Sequence, residues 1–289
     1  MPRFKQVDVF TKVKYFGNPV AVIYDADELT DSQMQDIARW TNLSETTFII
    51  KPKSTINANY GLRIFTPTEE LTFAGHPTLG SAFALLEDGK IIPKNGKIYQ
   101  ECKAGLVEIT ISEIDKSLSF QLPFYKITSI SNDVKNEVEL ILGKKSIGNP
   151  ILIDDGPKWA VFEFESGNDV LNLNIDLNKI EKISKINNWT GIGVFGKHKD
   201  TGLYELRNIA PITGVPEDPA CGSGSGAVGV YLSSAHSNSG ISSFEITQGT
   251  PINRDAKIKV QIKDDDNNEG ISIHVGGHAV TCFEGSYSI

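Results

Sequence analysis

The octapeptide Tyr60-Gly-Leu-Arg-Ile-Phe-Thr-Pro67 returns as Tyr204-Glu-Leu-Arg-Asn-Ile-Ala-Pro211, with four identities in register at a shift of 144 residues. Each copy leads into the start of a helical pattern, Ala74-Gly75-His76-Pro77-Thr78 in the first and Ala220-Cys221-Gly222-Ser223-Gly224-Ser225 in the second. Seven residues separate Pro67 from Gly75 and ten separate Pro211 from Gly222, so the second loop is three residues longer. Upstream, Gly17-Asn-Pro-Val-Ala21-Val22 is echoed by Gly156-Pro-Lys-Trp-Ala160-Val161. Two echoes in the same order, each with the same strand-to-helix transition, imply two similar domains. A pseudo-twofold axis relating them is expected.

The local patterns are mostly strands. Lys5–Phe10, Pro19–Tyr24, Thr47–Ile50, Tyr60–Phe65, Gly96–Glu101 and Val107–Ile111 carry strand signals, with a turn at Phe16-Gly17-Asn18-Pro19. Thr30 is expected to cap a helix running to Thr41, with Gln33 three residues on and Met34, Ile37, Ala38 and Trp40 as its apolar residues. A second helix is expected over Pro77–Leu86, closed near Gly89, and amphipathic helices over Asp133–Leu142 and Asp176–Ile186. Gly224–Ala235 differs, being rich in Gly, Ala and Ser and poor in charge, as a buried helix would be.

Composition narrows the function classes. The 289 residues carry 28 basic and 36 acidic side chains, a net charge of −8, which argues against a nucleic-acid or anionic-membrane surface. No apolar run reaches the roughly 18 residues of a membrane span. The opening Met-Pro-Arg-Phe-Lys-Gln-Val enters a strand pattern without a signal-peptide core, so a reducing cytoplasmic location is expected, and the sequons at Asn42 and Asn188 read as coincidence. Three scattered cysteines, Cys102, Cys221 and Cys282, make neither a disulfide framework nor a zinc motif, and no metal is expected. Two G-x-G-x-x-G matches, at Gly191 and Gly224, lack the strand–turn–helix context of a dinucleotide site.

If the two domains face each other, the helix starts at Gly75 and Gly222 can converge on one cleft. Free N–H groups there favour an anion, so a small carboxylate is the expected ligand. The same dipole lowers the pKa of His76 and favours its neutral ring. Taken alone, Glu45 reads as an exposed loop carboxylate, Asp218 as a turn former before Pro219, Ser223 as an N-cap, and Asn18 as turn chemistry before Pro19. His198, His236 and His274 read as structural, and His278 as an organiser of backbone.

Four ordered motifs resemble the phenazine-biosynthesis PhzF-like family: Asn42-Leu-Ser44-Glu45-Thr-Thr-Phe48, Phe65-Thr-Pro67 through Phe73-Ala-Gly75-His76-Pro-Thr78, Glu217-Asp218-Pro-Ala-Cys221-Gly222-Ser223-Gly224, and Val275-Gly-Gly-His278-Ala279. The resemblance spans the chain. It implies an α+β, diaminopimelate-epimerase-like fold of two pseudo-symmetric domains, each a mainly antiparallel sheet rolled around a central helix. The expected division is 1–127, with a returning strand at about 277–289, and 128–276. It further implies a homodimer and a cofactor-independent isomerase moving a proton on a small carboxylate. In that reading Glu45 is the acid/base, its pKa raised by enclosure, with His76 and Asp218 beside it. Ser44, Gly75, Gly222, Ser223, Cys221 and Asn18 would bind substrate. In the related epimerases each domain supplies a cysteine; here Ala74 occupies the first position, so two-thiol racemisation is not expected. Cys221, at a helix start, is expected either to have a lowered pKa or to be a small buried residue. A one-base racemase using Glu45 and Cys221, or a silent binding protein on the same fold, are the alternatives.

Overall fold

The computed structural model describes residues 2–53, 57–235, 240–264 and 270–288. His236 lies outside them. The chain divides into two compact units, Met1–Phe120 with Gly276–Ile289, and Gln121–Val275.

The helices are α1 (Asp31–Thr41), α2 (Gly75–Glu87), α3 (Asn132–Leu142), α4 (Gly167–Leu171), α5 (Leu177–Asn187) and α6 (Gly222–Ala235). The duplication legible in the sequence is complete in the strand pairing. In the first unit Arg3–Val9 pairs antiparallel with Asn18–Ile23, which pairs parallel with Glu45–Ile50, which pairs antiparallel with Tyr60–Phe65. In the second, Ile147–Asp154, Lys158–Phe164, Gly191–Lys197 and Tyr204–Ile209 repeat that antiparallel, parallel, antiparallel order. Tyr60–Phe65 and Tyr204–Ile209 each then take a two-residue antiparallel partner, Glu70–Leu71 or Glu217–Asp218, and a parallel one beyond the central helix. The returning strand Ala279–Ser286 pairs antiparallel with Arg3–Val9 and closes the first unit's sheet.

Each sheet wraps a central helix. In the first unit α2 packs on Arg3–Val9, Asn18–Ile23, Glu45–Ile50 and Ala279–Ser286; in the second α6 packs on Ile147–Asp154, Lys158–Phe164, Gly191–Lys197 and Ala256–Asp264. Both helices are buried nearly all round, which is why they lack the one-sided patterning of α1, α3 and α5. Small residues let the surrounding backbone close in: a Cβ at Gly224 would lie 2.2 Å from the Asn208 side chain. The second face of each sheet is covered by outer helices. Met34 and Ala38 of α1 pack with Phe48 and Phe65, and Ile180 and Ile183 of α5 pack with Phe162 and Trp189.

Thr30 caps α1 in a full capping box with Gln33, as its sequence predicts. Trp40 departs from expectation. It is 86% exposed, because Met34 and Ala38 form the inner stripe and residue 40 falls outside it. The Gly191 motif is a strand, Gly191–Lys197, and the Gly224 motif lies within α6. Both fit the rejection of a nucleotide loop.

The repeated arginine has a repeated task. Arg63 grips Glu70 with two hydrogen bonds of 2.8 and 2.7 Å, and Arg207 grips Glu217 with two of 2.9 Å. Each pair pins the short strand that leads into its central helix, and so fixes where that helix begins.

Candidate active site

Glu45 opens the strand Glu45–Ile50, beside Val20 in the parallel ladder. Thr47, two residues on, accepts a 2.9 Å hydrogen bond from Ser81 of α2 and itself donates to the Ala21 carbonyl at 3.2 Å. These buried hydroxyls lock α2 against the strand and bring the helix start to Glu45. The Glu45 Oε2 to His76 Nε2 distance is 3.4 Å, with side-chain exposures of 16% and 8%.

His76 is the second residue of α2. Its ring bonds the backbone of Pro19, and burial drives its pKa down to about 3, so it is neutral. Proline offers only a carbonyl, so the ring donates one N–H there. Nε2, which has no hydrogen-bond partner among the described residues, is left as an acceptor facing the carboxyl. The neutral ring was expected; its main cause is desolvation rather than the helix dipole. Gly75 ahead of it cannot be replaced without movement, since a Cβ would lie 2.4 Å from Cζ of Phe120. Asn18 is fully buried at the first position of its strand, and Ser44 is half-buried at the bend before Glu45.

The second unit builds its own cluster at the start of α6. Asp218 Oδ1 accepts the Ala220 N–H at 3.0 Å, the turn chemistry its sequence suggests. Burial raises its pKa to about 6. Gln248 holds both sides of the turn, accepting the Cys221 N–H at 3.0 Å and donating to the Asp218 carbonyl at 2.8 Å. Ser223 is not the cap. Cys221 takes that role, its Sγ accepting the Gly224 N–H at 3.2 Å, while Ser223 Oγ receives the Trp159 indole N–H at 2.9 Å.

Cys221 also corrects the expectation of a lowered pKa. Burial pushes the thiol well above its usual range, and the neighbouring Asp218 charge adds to the rise. Desolvation outweighs the helix end here. The other reading, a small buried residue, fits its 5% exposure.

The other described histidines have contacts of their own. His278 offers its carbonyl to the Phe10 and Thr11 N–H groups at 2.7 and 3.2 Å, and its ring sits 3.5 Å from Asp115. His198 lies 3.2 Å from buried Glu205. Among the described residues no group of three or more His, Cys, Asp or Glu is arranged to hold a metal ion. No helix among them is long and apolar enough to cross a membrane. Sequence reasoning missed Trp159, although it stands in the quoted echo, and Asp155, the buried carboxyl just ahead of that echo.

Residues 7–285 match the family described as phenazine biosynthesis-like protein. The chain belongs to this family. It is 51% identical over 292 residues to "Antisense-enhancing sequence 1" of Schizosaccharomyces pombe, covering 98% of this chain and 97% of that protein. It is 34% identical to the trans-2,3-dihydro-3-hydroxyanthranilate isomerase of Pseudomonas fluorescens over 260 residues, 88% of each chain. A crystal structure of the Bacillus anthracis PhzF-family protein superposes with a TM-score of 0.87 at 24% identity, covering 100% of this chain and 99% of that one. The expected PhzF-like isomerase and its fold agree with these relatives.

Proposed function

We propose that the chain is a cofactor-independent isomerase that moves a proton on a small carboxylate, with Glu45 as the acid/base. The observation that carries this is the Glu45–His76 contact of 3.4 Å at the first turn of α2. Ionised Glu45 takes a proton from a substrate carbon, and the carboxyl so formed returns it to another. Bare Nε2 of His76 accepts a hydrogen bond from the protonated carboxyl and holds it in line between the two transfers. Neither α2 nor α6 carries an acidic residue in its first turn. Their free N–H groups, at Gly75 and His76 and at Gly222 and Ser223, are therefore suited to a carboxylate or to the charge that builds up on deprotonation. Asp218 and Ser223 fix the ring or chain of the substrate, with Asn18, Ser44 and Cys221 as further binding residues. A homodimer in the cytoplasm completes the proposal.

A panel of cyclic dienoic acids and amino acids, including trans-2,3-dihydro-3-hydroxyanthranilate, tests the reading. Incubation in deuterated water followed by proton NMR should reveal at least one acid whose carbon-bound hydrogen exchanges. Tight binding of a panel member without exchange would instead favour a binding protein on the same fold.

A further inference from the structure

In each unit the second residue of the central helix is tied to the second residue of a neighbouring strand. His76 of α2 donates to the Pro19 carbonyl in Asn18–Ile23, and Ser223 of α6 receives the Trp159 indole N–H from Lys158–Phe164 at 2.9 Å. The direction of the bond is reversed between the units. In the first, His76 is left with a bare acceptor nitrogen. In the second, an indole N–H only donates, so the Ser223 oxygen accepts it and keeps its own O–H to give away. Cys221 Sγ, 3.4 Å from that oxygen, is a weak acceptor that a carboxylate oxygen would displace. Among the described residues 220–232, only Ser223 is not buried, so its hydroxyl is open to a ligand.

Trp159 is held in place from several sides. It is 3% exposed. Ala160 and Phe162 join the core under the outer helices, so strand alternation turns Trp159 to the α6 side. Beside it in the parallel ladder stands Gly191, as Glu45 stands beside Val20 in the first unit. Glu45 and Gly191 each open their strand. A Cβ at Gly191 would lie 2.3 Å from the Ile209 carbonyl oxygen and 2.9 Å from Cζ3 of the Trp159 ring. The place that carries a carboxyl in the first unit is therefore closed to any side chain in the second, partly by the indole itself. Gly191 is kept small to seat that ring, a task its rejected nucleotide motif did not supply.

We propose that Trp159 is a positioning residue that fixes the Ser223 hydroxyl as a hydrogen-bond donor to the substrate carboxylate. Resting on the isomerase reading, this divides the two helix heads by role. His76 accepts from the protonated acid/base, and Ser223 adds an aimed donor to the free N–H groups of α6. Without the indole the hydroxyl turns among its rotamers and the donor is no longer aimed.

The test uses benzoate, a cyclic carboxylate with no other polar group, and proton–nitrogen NMR of the isotope-labelled full chain. The chain has three tryptophans, and the indole peak missing from W159F identifies Trp159. Benzoate should move that peak. The Kd, followed on the backbone amide peaks, should weaken about tenfold in W159F. It should weaken equally when benzothienylalanine, which keeps the outline of tryptophan but has sulfur in place of the N–H, stands at position 159. In an S223A background neither change should weaken binding by more than about twofold further. A Trp159 peak that benzoate leaves in place overturns the proposal, as does a parent-like Kd in either folded variant. So does a tenfold loss that persists in S223A, which a merely structural indole would give, and so does loss of the near-ultraviolet circular dichroism in both variants. Exchange of a panel acid with binding indifferent to Trp159 would leave Glu45 as the acid/base and remove this role. Benzoate binding that depends on Trp159, without exchange of any panel acid, would do the reverse.

Discussion

The two copies of the arginine motif should respond unequally to the same substitution. Arg207 has 7% side-chain exposure and holds Glu217, at 11%; it also donates to the Val170 and Leu173 carbonyls at 3.3 and 3.0 Å. R207M strands a buried carboxylate and withdraws a donor from two carbonyls. Breaking a buried pair from one side costs about 3–5 kcal/mol. Arg63 is three times more exposed, at 21%, and its other partner Asp31 stands at 85%. When Arg63 is removed, Glu70 still has Lys103 at 2.6 Å. R63M should therefore cost about 1 kcal/mol, near the range of exposed pairs. Urea unfolding followed by far-ultraviolet circular dichroism reads both units, Arg63 lying in the first and Arg207 in the second. A midpoint lowered as much by R63M as by R207M would refute the claim that burial, rather than the motif, sets the cost.

Further outcomes follow from the same geometry. Asp218 has a folded pKa of about 6 against an ordinary 3.8, so the folded state holds its proton more tightly than the unfolded chain. Its burial leaves stability intact below about pH 4 and lowers it as pH rises towards 6. D218N should match wild type near pH 4 and exceed it by about 1–3 kcal/mol at pH 7.5 in thermal denaturation, while losing activity; a gap that does not widen with pH contradicts this. G75A should destabilise by about 1–3 kcal/mol through its clash with Phe120, and G75A with F120L should recover most of that in the same assay; an unrecovered loss would place the strain elsewhere. C221A should keep exchange within about tenfold of wild type, whereas abolition would favour the one-base racemase.

The duplication was the most legible feature, because strand order follows from where apolar runs and turns fall along the chain. Tyr60, Arg63 and Pro67 and their second copies gave the register of both halves before any contact was known. The helix starts at Gly75 and Gly222 were legible for the same reason. What escaped depends on neighbours distant in sequence. Cys221 sits at a helix end, a local fact that argues for a thiolate, but its burial, with Asp218 beside it, comes from the fold and reverses the sign. Asp155, ahead of Gly156-Pro157, carried no signal of its burial, which comes from the fold. Ser223 looked like a cap because serine is a good one, yet Cys221, two residues earlier and just ahead of Gly222, holds the cap position and Trp159 occupies the serine oxygen. Glu45 carried no local signal at all. Its motif pointed to it, and the hydroxyls of Thr47 and Ser81 explain why it meets His76.

The most direct measurement compares E45Q with wild type on whichever acid of the panel exchanges fastest. The account predicts that deuterium incorporation at carbon falls at least about a thousandfold in E45Q while the Kd for the same acid, by calorimetry, stays within about threefold. Exchange by E45Q at the wild-type rate would contradict it.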